Sequence, residues 1–319
     1  MKKSKLILQG FIVAQRLRLS QILFFSCIFT VSISAQNQFH FFQLEKDAYE
    51  LSAICSDENG NIYVASDEGN IDTLDMTTFK LKPLEHQIIG DDIEALEIYN
   101  GDLWYSVERT YRKIESINLK SSIPYKPIHS VKLNSIIADL IPCTDNATIE
   151  AVAIDSKNKI IYFCKQYKKR TIYYYPLENI NDPNTNSSEV RTLDLYRGEN
   201  NNSLDITDMK IEYDSNNNPV LHVLEKFERQ IRSYNLVTHK TKITSFKDLV
   251  CDGTSSLFVK GKPCNSCECW GKAEALLVTK EEFWIGFDNG GYPINDNFAR
   301  KKGYNNLTGN KPVILRLNR

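Results

Sequence analysis

Short apolar segments recur along the chain and share one pattern of hydrophobic and polar positions. Each starts with an apolar residue, continues with Ser, Thr or Glu and then a small or acidic residue, and ends with an aliphatic one. The five segments are residues 51–54, 93–96, 149–152, 206–209 and 273–276. Their starts lie 42, 56, 57 and 67 residues apart. A period of this size is typical of repeat architectures whose unit is a small group of strands.

Each repeat continues as a predicted hairpin. A second apolar segment follows at residues 61–65, 103–107, 160–164, 220–224 and 283–287. The residues between the two segments are mostly Asn, Asp and Gly, as in Asn100-Gly101, and tight hairpin turns favour these residues. Third strands are predicted at 111–119, 171–177 and 230–236, and fourth strands at 131–133, 190–195 and 242–246.

Four-stranded antiparallel units at this period predict an all-β fold, a β-propeller of about five blades. A six-bladed propeller remains open if residues 246–272 contain further strands. The last repeat supplies only three strands, ending at 313–317, and an apolar strand at 39–44 stands alone. Pairing these two would close the ring and remove both open edges. We therefore expect one propeller domain over residues 36–319, with no long amphipathic helix.

The N-terminal residues have the features of a secretory signal peptide. Lys2, Lys3 and Lys5 precede the apolar run 22–31, which ends on small residues near Ala35. The run is shorter than the ~20 residues that a membrane-spanning helix needs. We predict a signal peptide over residues 1–35 and a secreted or periplasmic protein, with no spanning segment after cleavage. An uncleaved anchor and a lipoprotein attached at Cys27 are the alternatives.

Charge and cysteine content narrow the classes of partner. The 319-residue chain carries 39 basic and 40 acidic residues, a net charge of −1, so no basic field predicts nucleic-acid binding. We expect a monomer whose partner is a small molecule or a protein. Seven cysteines follow residue 35, and an oxidising compartment makes disulfides plausible, with at least one thiol left over. Cys55 and Cys164 lie in apolar strand patterns, which predicts that both are buried.

The second position of each repeat predicts a cation site. The first strand of each propeller blade lines the central channel, so equivalent positions converge around one axis. These positions hold Ser52, Glu94, Glu150, Thr207 and Glu274. Strand alternation would place apolar residues such as Leu96 and Ile98 on the same side, giving a partly apolar channel. Converging carboxylates repel unless they are protonated or neutralised, and oxygen ligands suit Ca²⁺.

A second set of polar residues ends the second strands and could form an outer rim. These residues are Asp67, Glu108, Gln166, Glu225 and Asp288. The alternative to a metal site is structural pairing, in which the ring glutamates form salt bridges to neighbouring blades through Arg109, Lys165 or Lys226. The sequence leaves both interpretations open.

The repeat segments resemble the SdiA-regulated family of bacterial β-propellers, whose blades open with patterns such as I-S-G-L, F-E-G-I and A-E-G-V. The order Ser, Glu, Glu, Thr, Glu at the ring positions is similar to that family's. The chain departs from the pattern because Ala or Asp replaces the family's Gly in every blade. The resemblance, which extends to phytase-like and esterase-like propellers, implies a calcium-associated propeller with Glu94, Glu150 and Glu274 at the ring.

Three kinds of function remain open. The first is a non-enzymatic binding protein of the cell envelope, and the second is a calcium-dependent phosphoester or carboxylic-ester hydrolase that uses metal-activated water. The third is an interaction surface formed by aromatic third strands such as 173–175. The five histidines show no metal-ligand or triad spacing, and we expect His222 to be a packed strand residue. These observations favour binding over catalysis.

Overall fold

The computed structural model describes residues 39–46, 49–84, 92–107, 113–119, 129–132, 149–165, 171–179, 190–196, 206–259 and 272–319. The predicted signal peptide, Glu108 and Gln166 lie outside these ranges, as do Cys143, Cys264, Cys267 and Cys269. Residues Phe41–Arg319 form one compact unit. In the described part of the chain, no helix has the length and apolar content to cross a membrane.

The described strands form five four-stranded antiparallel sheets, which confirms the five-bladed prediction. Blade 1 contains β2 (Leu51–Ser56), β3 (Ile62–Ser66), β4 (Ile71–Asp75) and β5 (Lys80–Pro83). Blade 2 contains β6 (Ile93–Tyr99), β7 (Asp102–Val107), β8 (Lys113–Asn118) and β9 (His129–Lys132). Blade 3 contains β10 (Ile149–Asp155), β11 (Ile160–Lys165), β12 (Ile172–Pro176) and β13 (Arg191–Leu193). Blade 4 contains β14 (Ile206–Tyr213), β15 (Pro219–Glu225), β16 (Gln230–Asn235) and β17 (Thr241–Ser245).

Blade 5 joins the two ends of the propeller sequence, as predicted. It contains β18 (Lys272–Val278), β19 (Glu282–Asp288) and β20 (Val313–Asn318), and β1 (Phe39–Gln43) pairs with β20 as its outermost strand. The described helices are short: α1 (Lys247–Val250), α2 (Asp296–Lys302) and a 3₁₀ turn (Leu177–Asn179). Because β1 comes from the other end of the sequence, its backbone pairing with β20 holds the ring closed.

The hydrophobic core is divided into five layers, one between each pair of neighbouring blades. Between blades 1 and 2, for example, Tyr63 and Ala65 pack with Leu96 and Tyr105. Blades 5 and 1 pack tightly at Gly286, where an added Cβ would lie 2.5 Å from the Leu51 side chain. Cys55 and Cys164 are buried, as predicted. The ring is therefore stabilised by five similar interfaces rather than by one central core.

The five inner strands surround the channel. Neighbouring inner strands contact one another in the order β2, β6, β10, β14 and β18, and β18 contacts β2 again. The start of each inner strand and the end of the second strand lie at one end of the blade, and the hairpin turn lies at the other. We call the end that carries the strand starts the mouth. Asn100 and Gly101, both at positive φ, form a two-residue turn at the opposite end.

Candidate functional site: the acidic mouth

Every ring position predicted from the repeat is the extra residue of a β-bulge. In blade 2, Ile93 pairs with Val107 and Ala95 with Ser106, which leaves Glu94 without an opposite residue. The same register shift occurs at the equivalent position of the other four blades, at Ser52, Glu150, Thr207 and Glu274. A bulge re-aims the side chain of its extra residue. The five positions are therefore equivalent in the backbone, and they all lie at the mouth.

Two blades bring three carboxylates together at the mouth. Carboxylate oxygens of Asp67, Asp92 and Glu94 all lie within 4.8 Å of one another. Asp67 follows β3 in blade 1, whereas Asp92 directly precedes β6 of blade 2 and Glu94 is its second residue. The backbone N–H of Asp92 donates to the Asp67 carbonyl over 3.0 Å, which fixes the two segments side by side. Asp92 is 3 % exposed and has φ of 61°, a left-handed conformation that Asp tolerates better than most residues.

Asp67 lies in a strongly acidic environment. Burial raises its pKa to about 8, with further contributions from the carboxylates of Asp288, Glu274, Asp92 and Glu50. Asp67 therefore holds its proton at neutral pH unless a positive charge replaces it. Asp288 was predicted for the outer rim and Glu274 for the ring. The structure places both within electrostatic range of Asp67, so parts of the ring and rim form one acidic group.

Two other ring positions, Glu274 and Thr207, make structural contacts, in line with the alternative interpretation. Glu274 Oε1 lies 2.6 Å from Lys226 Nζ of blade 4, the salt bridge that the sequence offered. The Thr207 hydroxyl donates to the Ala273 carbonyl of blade 5 over 2.7 Å. Glu150 is 2 % exposed at its bulge. Ser52 is 1 % exposed, and its Oγ has no hydrogen-bond partner among the described residues.

The predicted outer rim divides in a similar way. Asp288 accepts a hydrogen bond from the Gly290 N–H over 2.6 Å and lies 3.9 Å from Lys272 Nζ. Glu225 instead turns into its own blade, where Arg232 Nε donates to Oε1 over 2.6 Å. Glu225 therefore forms an ion pair within its own blade, and its place in the rim stays a prediction. Glu108 and Gln166 fall outside the described residues and remain predictions.

The expectation of a partly apolar channel needs correction. Leu96 and Ile98 pack in the core between blades 1 and 2. Side chains of Glu97, Asp208 and Lys210 meet across the channel instead, with Lys210 Nζ 3.2 Å from Glu97 Oε1. The bulge interrupts the strand alternation on which the apolar prediction relied, because one extra residue changes which side chains share a face.

Sequence reasoning missed Asp92 and Glu50, although the repeat contained a signal for them. Both stand two residues before a ring position, as Lys272 does in blade 5. Aligning the repeats two residues further towards the N-terminus would have shown charged side chains entering the mouth from three blades. The structure brings all three of these residues close to the predicted acids.

Comparison with known proteins does not assign the chain to a family. No protein-family model and no curated protein matches the chain. Streptogramin B lyase is 13 % identical with a TM-score of 0.42, over 88 % of this chain and 98 % of the lyase. The extracellular domain of the BT4673 one-component system from B. thetaiotaomicron is 16 % identical with a TM-score of 0.36, over 79 % of this chain. The match covers 27 % of that domain, so the chain spans about a quarter of its length.

These similarities are too low to carry an argument about function. The propeller assignment rests on the strand order of this chain itself. The resemblance to the SdiA-regulated family is borne out in its fold and not beyond it.

Proposed function

We propose that this chain is a non-enzymatic β-propeller of the cell envelope that binds Ca²⁺ at the acidic mouth and holds a ligand or partner there. The observation that carries the proposal is the convergence of the Asp67, Asp92 and Glu94 carboxylates within 4.8 Å. Two blades supply them, so the site depends on the folded ring rather than on one local loop.

The electrostatics of the mouth favour a divalent cation. Burial and neighbouring carboxylates raise the Asp67 pKa to about 8. Ionising this carboxyl without a counterion is therefore unfavourable at neutral pH. A bound cation removes that cost and displaces the proton. Carboxylate and hydroxyl oxygens are hard ligands, which Ca²⁺ prefers and which Zn²⁺ and Cu²⁺ prefer less. The predicted secretory leader would deliver the protein to a compartment in which calcium is plentiful.

The same geometry leaves room for a ligand. Ca²⁺ takes six to eight oxygen ligands, and three carboxylates rarely supply all of them. The side chain of Lys272 is 49 % exposed beside Asp288 and offers a positive charge near the ion. A ligand with a carboxylate, phosphate or hydroxyl group would complete the coordination and could contact this lysine.

Two other functions are less well supported. Hydrolysis by metal-activated water remains chemically open at such an ion, but the buried His222 lies in blade 4, 2.8 Å from Ser233 and 3.6 Å from Glu212. The aromatic third strand of blade 3 is half-buried, because Tyr173 stacks on Phe163 with centroids 5.6 Å apart. These contacts assign His222 and Tyr173 to packing, which favours binding at the mouth over both alternatives.

Calorimetric titration of Ca²⁺ into EDTA-treated protein at pH 8 tests the proposal. We expect one site in the wild type and a loss of affinity of at least tenfold in Glu94→Gln. The matched control is Glu58→Gln, in the exposed β2–β3 turn at the opposite end of blade 1, which should bind as the wild type does. Absence of binding in the wild type, or equal binding in Glu94→Gln, would reject the site. Turnover of ester or phosphoester substrates only when calcium is bound would favour the hydrolase.

A further inference from the structure

A buried ion cluster crosses the central channel below the mouth. Lys210 Nζ lies 2.9 Å from Asp208 Oδ1 and 3.2 Å from Glu97 Oε1. It also donates to the Leu96 carbonyl over 3.0 Å. Two hydrogen bonds, to Asp208 Oδ1 and to the Leu96 carbonyl, and the ion pair with Glu97 therefore hold this ammonium group. We call Lys210, Asp208 and Glu97 the clasp.

The clasp joins blades that are not neighbours. Lys210 and Asp208 belong to β14 in blade 4, whereas Glu97 and Leu96 belong to β6 in blade 2. Blade 3 separates these two along the ring, so a contact between them must cross the channel. The clasp reaches a third blade as well, because Asp208 Oδ2 accepts the Leu276 N–H of blade 5 over 2.7 Å. Three of the five inner strands are therefore tied together at one level.

The burial of the clasp shows that water has little access to this level. The side chains of Asp208, Lys210 and Glu97 are 0 %, 7 % and 14 % exposed. Burial works to lower the Lys210 pKa, but Asp208 and Glu97 outweigh it and raise that pKa, so the lysine stays charged. A long side chain held by charge-assisted bonds on both sides is a fixed obstacle rather than a mobile one.

Cys55 is a natural reporter of this level. Cys55 stands three residues after the ring position of its blade, as Glu97 does in blade 2 and Lys210 does in blade 4. The three positions are therefore equivalent in the repeat, and the Cys55 side chain packs at the edge of the core between blades 1 and 2. The Cys55 thiol is 2 % exposed, and its burial raises its pKa well above the usual value while Lys210 works to lower it. The thiol is thus buried and lies within electrostatic range of the clasp.

We propose that the clasp closes the central channel, so that the mouth is a blind-ended cup and a ligand bound there enters and leaves through one end. Removing the Lys210 side chain would leave a gap between blades 2 and 4 that small solutes could enter. The inference is independent of the ion that the mouth binds, because none of the three clasp residues belongs to the carboxylate group around Asp67.

Thiol labelling tests the closure directly. We would treat folded wild type and Lys210→Ala with iodoacetamide and follow Cys55 by peptide mass spectrometry. Cys55 should resist labelling in the wild type and react at least tenfold faster in Lys210→Ala. Lys210→Met fills most of the same volume without the charge, so it should melt roughly 5–10 °C lower yet keep Cys55 protected. The control Lys242→Ala, on the exposed outer strand β17, should change neither property.

Cys164 is the internal standard, because it is buried between blades 3 and 4 and should stay unlabelled in every folded variant. If Lys210→Ala does not fold, Glu97→Ala opens the clasp from the opposite blade and is expected to expose Cys55 in the same way. Equal Cys55 labelling in the wild type and in a folded alanine variant would overturn the proposal. Rapid labelling of Cys55 in the folded wild type would overturn it as well.

Discussion

The mouth and the clasp are two carboxylate groups that both include residues of the inner strand β6, and they differ in the charge around them. The clasp surrounds one buried lysine with two carboxylates from blades 2 and 4. At the mouth, Asp67 is buried and lies near further carboxylates. Both effects raise its pKa, to about 8. The described lysines of the mouth, Lys226 and Lys272, pair with Glu274 and Asp288.

The difference shows what a cluster of acids can do in a propeller channel. Where the chain supplies its own cation, the carboxylates become part of the structure and gain nothing from an added ion. Where the chain supplies too little positive charge for its carboxylates, the folded state keeps a proton or takes up an external cation. The fivefold repeat makes this comparison close, because Glu94 of the mouth and Glu97 of the clasp lie three residues apart on one strand.

The largest expected effect is on the clasp. Asp208→Ala removes a carboxylate that accepts hydrogen bonds from Met209 N, Leu276 N and Lys210 Nζ. It leaves a buried lysine with one carboxylate partner, so we expect a loss of about 3–5 kcal/mol in the free energy of unfolding. Urea denaturation measures this loss, and calcium should still bind to the folded fraction. A stability equal to the wild type would show that the clasp carries little energy.

Asp67→Asn should have the opposite sign in the metal-free protein. The folded pKa of about 8 lies above the usual 3.8, so the folded state holds a proton that the unfolded state releases. Stability contributed by that proton is present below about pH 4 and is lost as pH rises to 8. Removing the ionisable group should therefore stabilise the protein at pH 8.5 by several kcal/mol, because the shift spans roughly four pKa units of about 1.4 kcal/mol each.

Denaturation of both proteins from pH 5 to 9 in EDTA measures this prediction. In Asp67→Asn, the free energy of unfolding should still depend on pH, and this dependence should come from the clasp. Burial raises the Glu97 pKa to about 7 against the opposing effect of Lys210. A variant that is less stable than the wild type at pH 8.5 would show that Asp67 makes favourable contacts as a carboxylate.

Lys226→Met should have a smaller effect, and it should increase the difference in charge between the mouth and the clasp. It removes the ammonium 2.6 Å from Glu274, so the mouth gains one uncompensated carboxylate. We expect calcium affinity to rise by roughly threefold to tenfold, on the order of 1 kcal/mol. Titration calorimetry gives the change, with Lys242→Met as the control. An unchanged affinity would mean that Glu274 does not influence the ion.

The smallest expected effects separate the two hydroxyl groups of the ring. Thr207→Val loses the hydrogen bond to Ala273, which should cost about 1 kcal/mol of stability and leave calcium binding unchanged. Ser52→Ala should change the stability of the metal-free protein by less than about 0.5 kcal/mol. If the Ser52 hydroxyl contributes a ligand, the variant should bind calcium a few-fold more weakly. Equal effects of the two changes would contradict this division of the ring.

Most of the fold could be predicted from the sequence because each blade repeats a local signal. Apolar alternation and turn residues such as Asn100-Gly101 mark the hairpins. The unpaired strands at the two ends of the sequence indicated how the ring closes. The ring positions were found for the same reason, because a bulge recurs at the same place in every blade.

The pairing of the acids could not be predicted in this way. Glu94 and Glu274 occupy equivalent positions, but only contacts between blades place one beside Asp67 and the other beside Lys226. The clasp had one visible signal, since Asp208 replaces the Ala that the other four blades carry after the ring position. Its partner Glu97 lies two blades away. The repeat pattern alone does not show that residues so far apart in the chain are in contact.

The most direct test of the account is the number of protons released when calcium binds. Titration of calcium at pH 7.0 in buffers of different ionisation enthalpy measures this number. With an Asp67 pKa of about 8, the wild type should release on the order of one proton, and Asp67→Asn should release clearly fewer. Calcium binding without proton release, or equal release in both proteins, would contradict an ion site at the acidic mouth.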